Sequence, residues 1–302
     1  MASSSGVCII QYVSDTHIEL KPIRSSTHSP YPLIPVAKDL ESGLPANVLV
    51  LAGDIGNLRG DYKRVLRDFL LYCSENWENV VYVPGNHEWY HSRKTHQTLE
   101  EEYKELCESI PKKNVFWLNQ SMKIIKGVRF YGTMLATNLP LTGNYAILND
   151  FSSIHTKNQL QWTTNMTLQS WNEEFSKPSH RWLTGILNEI TTNEFLKDTP
   201  IVLITHFPPI RTGTSHPKYN TQSEDIKQYF ANDLHDTLLR ERLPKGSVVI
   251  SGHTHYCYDI LLDDIRYVSH QMGYQEEIED TGFLDTYSEV LAFNINKSCN
   301  EL

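Results

Sequence analysis

Short apolar runs punctuate the chain at residues 7–13, 48–52, 80–83, 201–204 and 248–250, each rich in Val, Ile or Leu and each stopping abruptly at polar residues. Runs this short and this apolar predict strands buried on both faces, as in sheets covered by helices. Between them the period changes. Tyr62, Val65, Leu66, Phe69, Leu70 and Cys73 recur at steps of three and four, the stripe of an amphipathic helix. Leu99, Tyr103, Leu106, Cys107 and Ile110 repeat that pattern after a polar, acidic stretch. Trp182, Leu183, Ile186, Leu187 and Ile190 make a third stripe, with Ser179 placed to cap it. A weaker helical pattern runs between 222 and 242. Strand-like pieces follow at 115–118, 122–125 and 128–133, the last two separated by Lys126-Gly127, a hairpin signal. Residues 258–262 and 265–270 around Asp263-Asp264 predict another hairpin, and 290–295 a final strand.

Strand–helix alternation followed by hairpins predicts an α/β fold: two mixed β-sheets packed together and flanked by helices, four layers in all. No linker interrupts the pattern, so residues 1–302 are read as a single domain. Residues 139–178 have little periodicity and many polar side chains, and are read as a surface excursion where substrate contacts are expected.

The ends of the buried runs share one chemistry. Residues 7–13 lead to Ser14-Asp15-Thr16-His17, and 48–52 lead to Gly53-Asp54. Residues 80–83 lead to Pro84-Gly85-Asn86-His87-Glu88, 201–204 to Thr205-His206, and 248–250 to Ser251-Gly252-His253-Thr254-His255. Ligands of open α/β sheets gather where strands end at their carboxyl edge. In an extended segment, residues two apart point the same way, so the D-x-H and H-x-H pairs are each expected to reach one centre. Gly53, Gly85 and Gly252 permit close approach beside it. Asp15, His17, Asp54, Asn86, His206, His253 and His255 thus form the candidate ligand set. Two sites sharing one carboxylate would use all seven, whereas a single tetrahedral zinc site would leave several unexplained. Imidazole and hard oxygen without thiolate suit Mn, Fe, Zn or Co rather than Ca.

In order and spacing these blocks, from Ser14 to His255, resemble the calcineurin-like metallophosphoesterase superfamily. That resemblance implies Asp15, His17 and His255 on one divalent ion, Asn86, His206 and His253 on a second, and Asp54 bridging. It implies hydrolysis of a small phosphomonoester, phosphodiester or nucleotide by a hydroxide shared between the ions. His87 matches the family's non-ligand catalytic histidine near the leaving group, and Glu88 is read as its orienting partner. The first block opens with Ser where Gly is commoner, a change that spares both ligands. The alternative reading is a non-catalytic protein-interaction module on the same fold. Such modules typically lose ligands or the catalytic histidine, and this chain keeps all eight positions. A protein phosphatase ranks lower still, because the arginine-rich context of that branch is absent.

Composition narrows the partners. The net charge of −9 argues against a broad polyanion surface, so duplex nucleic acid is not expected as a partner, while a small phosphorylated substrate is. The five cysteines are odd in number and form no CxxC pair, and no long apolar run or secretory pattern is visible. An intracellular, cytoplasmic setting without a membrane span is expected, and the Asn119, Asn165 and Asn296 tripeptides are read as chance matches to the glycosylation pattern. Oligomeric state is not encoded in these patterns. Of the remaining histidines, His28, His96 and His235 are read as solvated. His91, His155, His180, His216 and His270 are weaker candidates for pocket lining. Asp150 and Arg211 suggest support for the centre and a phosphate clamp, although surface-loop roles are preferred for both. Trp89 and Tyr90 are read as residues that stack on a base or wall the cleft, or equally as neither. The acidic run 100–102 is expected to face solvent, as are Glu276, Glu277, Glu279 and Asp280.

Overall fold

The computed structural model describes residues 7–20, 31–145, 147–157, 163–277, 280, 281 and 283, together with the backbone of 290–294. In chain order the first half contains β1 (Val7–Val13), β2 (Val48–Ala52), α1 (Tyr62–Asn76), β3 (Asn79–Val83), α2 (His96–Glu108) and β4 (Val115–Trp117). Next come β5 (Ser121–Ile125), β6 (Val128–Thr133), α3 (Asp150–Ser153), β7 (His155–Lys157), β8 (Thr163–Asn165), α4 (Leu168–Trp171) and α5 (Lys177–Thr192). The remainder is β9 (Val202–Thr205), α6 (Glu224–Phe230), β10 (Val248–Ile250), β11 (Tyr258–Leu262), β12 (Ile265–Ser269) and β13 (Val290–Asn294).

These strands build two large mixed sheets, ordered β13-β1-β2-β3-β4 and β11-β12-β10-β9-β6-β5. In the first, β1 to β4 run parallel and β13 pairs antiparallel at the edge. In the second, β12, β10, β9 and β6 are parallel, with the β11 and β5 hairpin arms antiparallel at either edge.

Alternation along each strand sets the layers. Cys8, Ile10 and Tyr12 of β1, with Val48, Val50, Val81 and Val83, meet Phe130, Val202, Ile204, Val248, Ile250 and Val268 of the other sheet in one buried cluster. Their neighbours Ile9, Leu49, Leu51, Val80 and Tyr82 face the opposite way, against Val65, Leu66, Phe69 and Leu70 of α1 and Leu99 and Tyr103 of α2. On the outer face of the second sheet, Tyr131, Leu203, Val249 and Tyr267 pack on Leu183, Leu187 and Ile190 of α5. The predicted α/β architecture of two sheets flanked by helices is therefore the observed one. No helix among the described residues is long and apolar enough to cross a membrane.

The local structure departs from expectation in three places. Ser179 caps nothing: the helical path begins at α4, where Thr167 Oγ1 accepts from Ser170 N, and passes through a π turn into α5. Ser179 lies inside that path and donates to the carbonyls of Phe175 and Ser176. The pattern over 222–242 is not one helix. α6 ends at an extended Ala231 because Asn232 N and Leu234 N donate to the Pro208 and Pro209 carbonyls, drawing the chain onto the loop after β9. The described residues of the excursion at 139–178 hold α3, the paired strands β7 and β8, and α4, and Leu139, Tyr145, Ile154, Met166 and Trp171 are buried in the core.

Candidate metal centre

Because β1, β2 and β3 are parallel, as are β9 and β10, the loops at their carboxyl ends gather along one edge of each sheet. Backbone bonds stitch these loops together. Asp15 N donates to Gly53 O and His17 N to Asp54 O, both at 3.0 Å, and Gly252 N donates to His206 O at 2.9 Å. The two sheets are joined there by His253 N, which donates to both carboxylate oxygens of Asp15 at 3.1 and 3.2 Å.

The backbone in these loops is not extended. Asp15, His17, Asp54, His253 and His255 have φ of 56°, 43°, 54°, 75° and 50°. Left-handed backbone at non-glycine residues costs on the order of 1–3 kcal/mol each and clusters at functional sites. The expectation that D-x-H and H-x-H pairs converge through strand alternation is therefore corrected. These residues lie beyond the strands, and the turns aim their side chains. The outcome differs too: Asp15 and His17 share one group, while His253 and His255 point into different ones.

Three groups of ligand-type side chains form, each with its donor atoms within 4.8 Å of one another: Asp15–His17–His255, His17–Asp54–His87 and Asp54–His206–His253. His17 and Asp54 each belong to two groups, so the set is continuous. Asn86 joins through Oδ1, 3.2 Å from His206 Nε2. Asp54 faces both ends, with Oδ1 3.4 Å from His206 Nε2 and Oδ2 3.9 Å from His17 Nε2. The structure thus brings all seven sequence-predicted ligands into one buried crevice, with His87 beside them.

The hydrogen bonds test whether this set suits cations. His206 Nδ1 donates to Ala52 O at 2.9 Å, which turns Nε2 toward the centre. Burial disfavours a charged ring, but Asp54 outweighs it and lifts the imidazole to about 9, so a bound cation would take the place of the Nε2 proton. His255 Nδ1 bonds Glu277 Oε2 at 2.6 Å, and His17 Nδ1 faces Glu19 Oε1 at 3.5 Å. Both carboxylates select the tautomer that leaves Nε2 unprotonated, yet these two Nε2 atoms stand 3.0 Å apart. Two lone pairs at that distance are satisfied by a proton shared between the rings or by a metal ion that both could hold. His253 Nε2 is buried with no hydrogen-bond partner. Burial and the neighbouring His206 hold His253 well below its ordinary pKa, and burial with the His87 charge lowers His17, so both are poised as neutral ligands. Burial opposes the charge on Asp54, but His206 and His87 override it and keep the carboxyl well below its usual range. The donor set fits metal ions.

His87 is held differently from expectation. Its Nδ1 bonds Glu19 Oε1 at 2.8 Å, its backbone N donates to Asp54 Oδ1 at 2.8 Å, and its ring stacks on Tyr90 with centroids 4.2 Å apart. Glu88, the expected orienting partner, points elsewhere. It accepts from the backbone N of Asp54, Ile55, Gly56 and Gly85 and from Tyr82 Oη, tying the loops after β2 and β3 together. Burial and the adjacent Asp54 push its pKa up to about 7 despite these donors. Burial disfavours a charged His87, but Asp54 and Glu19 outweigh it and lift the imidazole to about 10. A bound cation would offset the Asp54 share, leaving Glu19 as the persistent partner.

Glu19 was not foreseen in the sequence, and neither was the role of Glu277, which bonds His255 rather than facing solvent. Asp150 is buried and not a surface residue: its Oδ2 accepts from Tyr229 Oη at 2.6 Å, while Oδ1 is buried without a hydrogen-bond partner. His96 and His235 are also buried, paired with Glu174 and with Tyr267 and Asp263. Trp89 packs among Tyr103, Trp117 and Phe175, so Tyr90 alone of that pair lines the cleft. His270 stacks on Phe283, while His180 bonds Ala136 O. His91 and His216 accept from nearby backbone N–H groups, and none of His91, His155, His180, His216 and His270 borders the cavity beside the centre. His28 lies outside the described residues. The centre opens into a cavity of about 750 Å³ whose lining includes Asp54, Asn86, His87, His253, His255 and Arg211.

Comparison with known proteins agrees with this geometry. The calcineurin-like phosphoesterase family matches over residues 10–257, and the chain belongs to that family. It is similar to an uncharacterized protein, L509, of Acanthamoeba polyphaga mimivirus, 26% identical over 279 residues that cover 89% of this chain and 92% of that one. Among solved structures it resembles the phosphopantetheinyl hydrolase of Mycobacterium tuberculosis, with a TM-score of 0.59 at 16% identity over 95% of this chain and 96% of the other. A dimetal phosphatase of Danio rerio aligns at 14% identity over 88% and 87% of the two chains, with a TM-score of 0.44.

Proposed function

We propose that the protein is a metal-dependent phosphoesterase that hydrolyses a small phosphomonoester, phosphodiester or nucleotide. The observation that carries this reading is the continuous set of three ligand groups linked through His17 and Asp54. Asp15, His17 and His255 would hold one divalent ion, Asn86, His206 and His253 the other, and Asp54 would serve both. Such ions, when bound, lower the pKa of water and neutralise phosphoryl oxygens.

The chain's own residues supply the rest. Glu19 fixes the His87 ring through Nδ1, which leaves Nε2 facing the centre, 3.9 Å from Asp54 Oδ2. A proton held at Nε2 is placed for the departing alkoxide oxygen, the work of a general acid. Tyr90 covers one face of the ring, and Tyr274 lies against His17 and His255. Both limit the orientations these rings can sample.

The test is turnover of 4-nitrophenyl phosphate and bis(4-nitrophenyl) phosphate by protein reconstituted with Mn²⁺. His87→Gln should retain its metal content yet turn over a poorly activated alkyl phosphate roughly 10²-fold more slowly. Undiminished turnover of that ester would remove His87 from the chemistry. Bound metal without turnover of any ester would instead support a non-catalytic module.

A further inference from the structure

The cavity beside the centre is larger than a phosphoryl group requires. At about 750 Å³ it lies in the range of sites that enclose a whole organic ligand. Its inner wall carries ligand-group residues, and its outer wall comes from residues 147–150 and 211–230. Leu148, Ile226 and Phe230 give that outer part an apolar character suited to the organic part of an ester.

Arg211 interrupts this wall. Its Nε is buried and has no hydrogen-bond partner. The carboxylate it faces, on Glu224, stands 3.8 Å from a terminal guanidinium nitrogen and belongs to a side chain 76% exposed. That pairing is too long for a hydrogen bond and well solvated, so it contributes little. The turn carrying Arg211 is fixed: Thr214 Oγ1 donates to its carbonyl at 2.9 Å, and Gly213 takes a φ of +81°. A guanidinium that borders the cavity, 36% exposed and with no carboxylate within hydrogen-bond distance, is a place for an anion. Of the other charged groups on the lining, Asp150 accepts from Tyr229 and Glu277 bonds His255, while Lys227 is paired at 2.9 Å with the exposed Glu224.

We propose that Arg211 determines specificity by binding a second anionic group on the organic part of the substrate. The substrate class is then a phosphoester whose alcohol carries a further phosphate or carboxylate. This rests on the phosphoesterase reading above. It differs from a clamp on the transferred phosphoryl, because Arg211 acts only on substrates that carry the additional charge.

The experiment uses competition against turnover of a 4-nitrophenyl ester by the Mn²⁺-loaded protein. The competitors are adenosine 5′-monophosphate, adenosine diphosphate and adenosine 3′,5′-bisphosphate, which add one anion at two different distances. In the wild type, at least one doubly phosphorylated competitor should bind roughly 10-fold or more tightly than the monophosphate, the worth of a charge-assisted hydrogen bond. Arg211→Met should abolish that ratio, and Arg211→Lys should restore part of it. Equal inhibition by all three competitors in the wild type would overturn the inference. So would an equal loss for all three in Arg211→Met, which would place Arg211 on the phosphoryl group they share. Absence of turnover of either 4-nitrophenyl ester would instead count against the phosphoesterase reading. In that case the same affinity ratios, measured by calorimetry, still decide the role of Arg211.

Discussion

Replacing Gly85 with Ala adds one carbon at the most crowded point of the centre. An added Cβ would lie 2.1 Å from Asp54 Oδ1, 2.6 Å from Asp54 N and 2.8 Å from His206 Cε1, where ordinary contacts begin near 3.4 Å. The backbone cannot give way easily, since Gly85 N donates to Glu88 Oε2 at 2.6 Å. The Asp54 carboxylate must therefore retreat by roughly 1 Å to recover normal contact. Overpacking of this kind costs about 1–3 kcal/mol of stability. Since Asp54 belongs to two of the ligand groups, its displacement should also weaken metal binding, by ~10–100-fold if the loss matches that of a disturbed ligand support. Metal-dependent stabilisation would then fall by about 1.4–2.7 kcal/mol. The assay is urea denaturation with chelator and with saturating Mn²⁺, comparing wild type, Gly85→Ala and the control Gly185→Ala. Gly185 lies in α5 with nothing within 4 Å of an added Cβ, so the control should gain about 0.5–1 kcal/mol and respond fully to metal. If Gly85→Ala showed the full wild-type response to Mn²⁺, Asp54 would not be the shared ligand.

Other perturbations have definite signs. Burial raises the pKa of Glu19, but hydrogen bonds from His17 and His87 outweigh it and lower the carboxyl from 4.5 to about 2. A depressed carboxyl stabilises the fold above its unfolded pKa, and this contribution, on the order of 3 kcal/mol, is lost as pH falls from about 4.5 to about 2. Denaturation curves of Glu19→Gln should lack that acid-side decline, and an identical pH profile in mutant and wild type would refute the pairing. Glu277→Gln removes the carboxylate that orients His255 and should lower metal affinity ~10–100-fold; an unchanged Mn²⁺ titration would contradict it. Phe130→Ala, fully buried between the sheets, should cost about 3–5 kcal/mol, and a loss below about 1 kcal/mol in urea denaturation would show that the sheets do not pack through it.

Much of this was legible in the chain because it depends on local pattern. The short, nearly unbroken apolar run at residues 7–13 specifies a strand covered on both faces, and Cys8, Ile10 and Tyr12 indeed face one layer while Ile9 faces another. The strand-end blocks could be found because a parallel sheet places those ends together. Contacts across long sequence distance were not legible. Glu19 reaches His87 across 68 positions, and Glu277 reaches His255 across 22 from within an acidic stretch that reads as solvent-facing. His96 and His235 looked polar and exposed for the same reason, since Glu174 and Asp263 come to them only in the fold. The left-handed turns at Asp15, His17, His253 and His255 were also hidden, because strand periodicity says nothing about backbone beyond the strand.

The most direct test of the central claim is Mn²⁺ titration of metal-free wild type and Asp54→Asn by calorimetry, with turnover of bis(4-nitrophenyl) phosphate and 4-nitrophenyl phosphate followed on the same samples. A dinuclear phosphoesterase should bind about two ions per chain and turn over at least one ester only when loaded, with tight binding and turnover both lost in Asp54→Asn. Wild-type protein that binds no Mn²⁺, or an Asp54→Asn variant that keeps both ions and full turnover, would contradict the account.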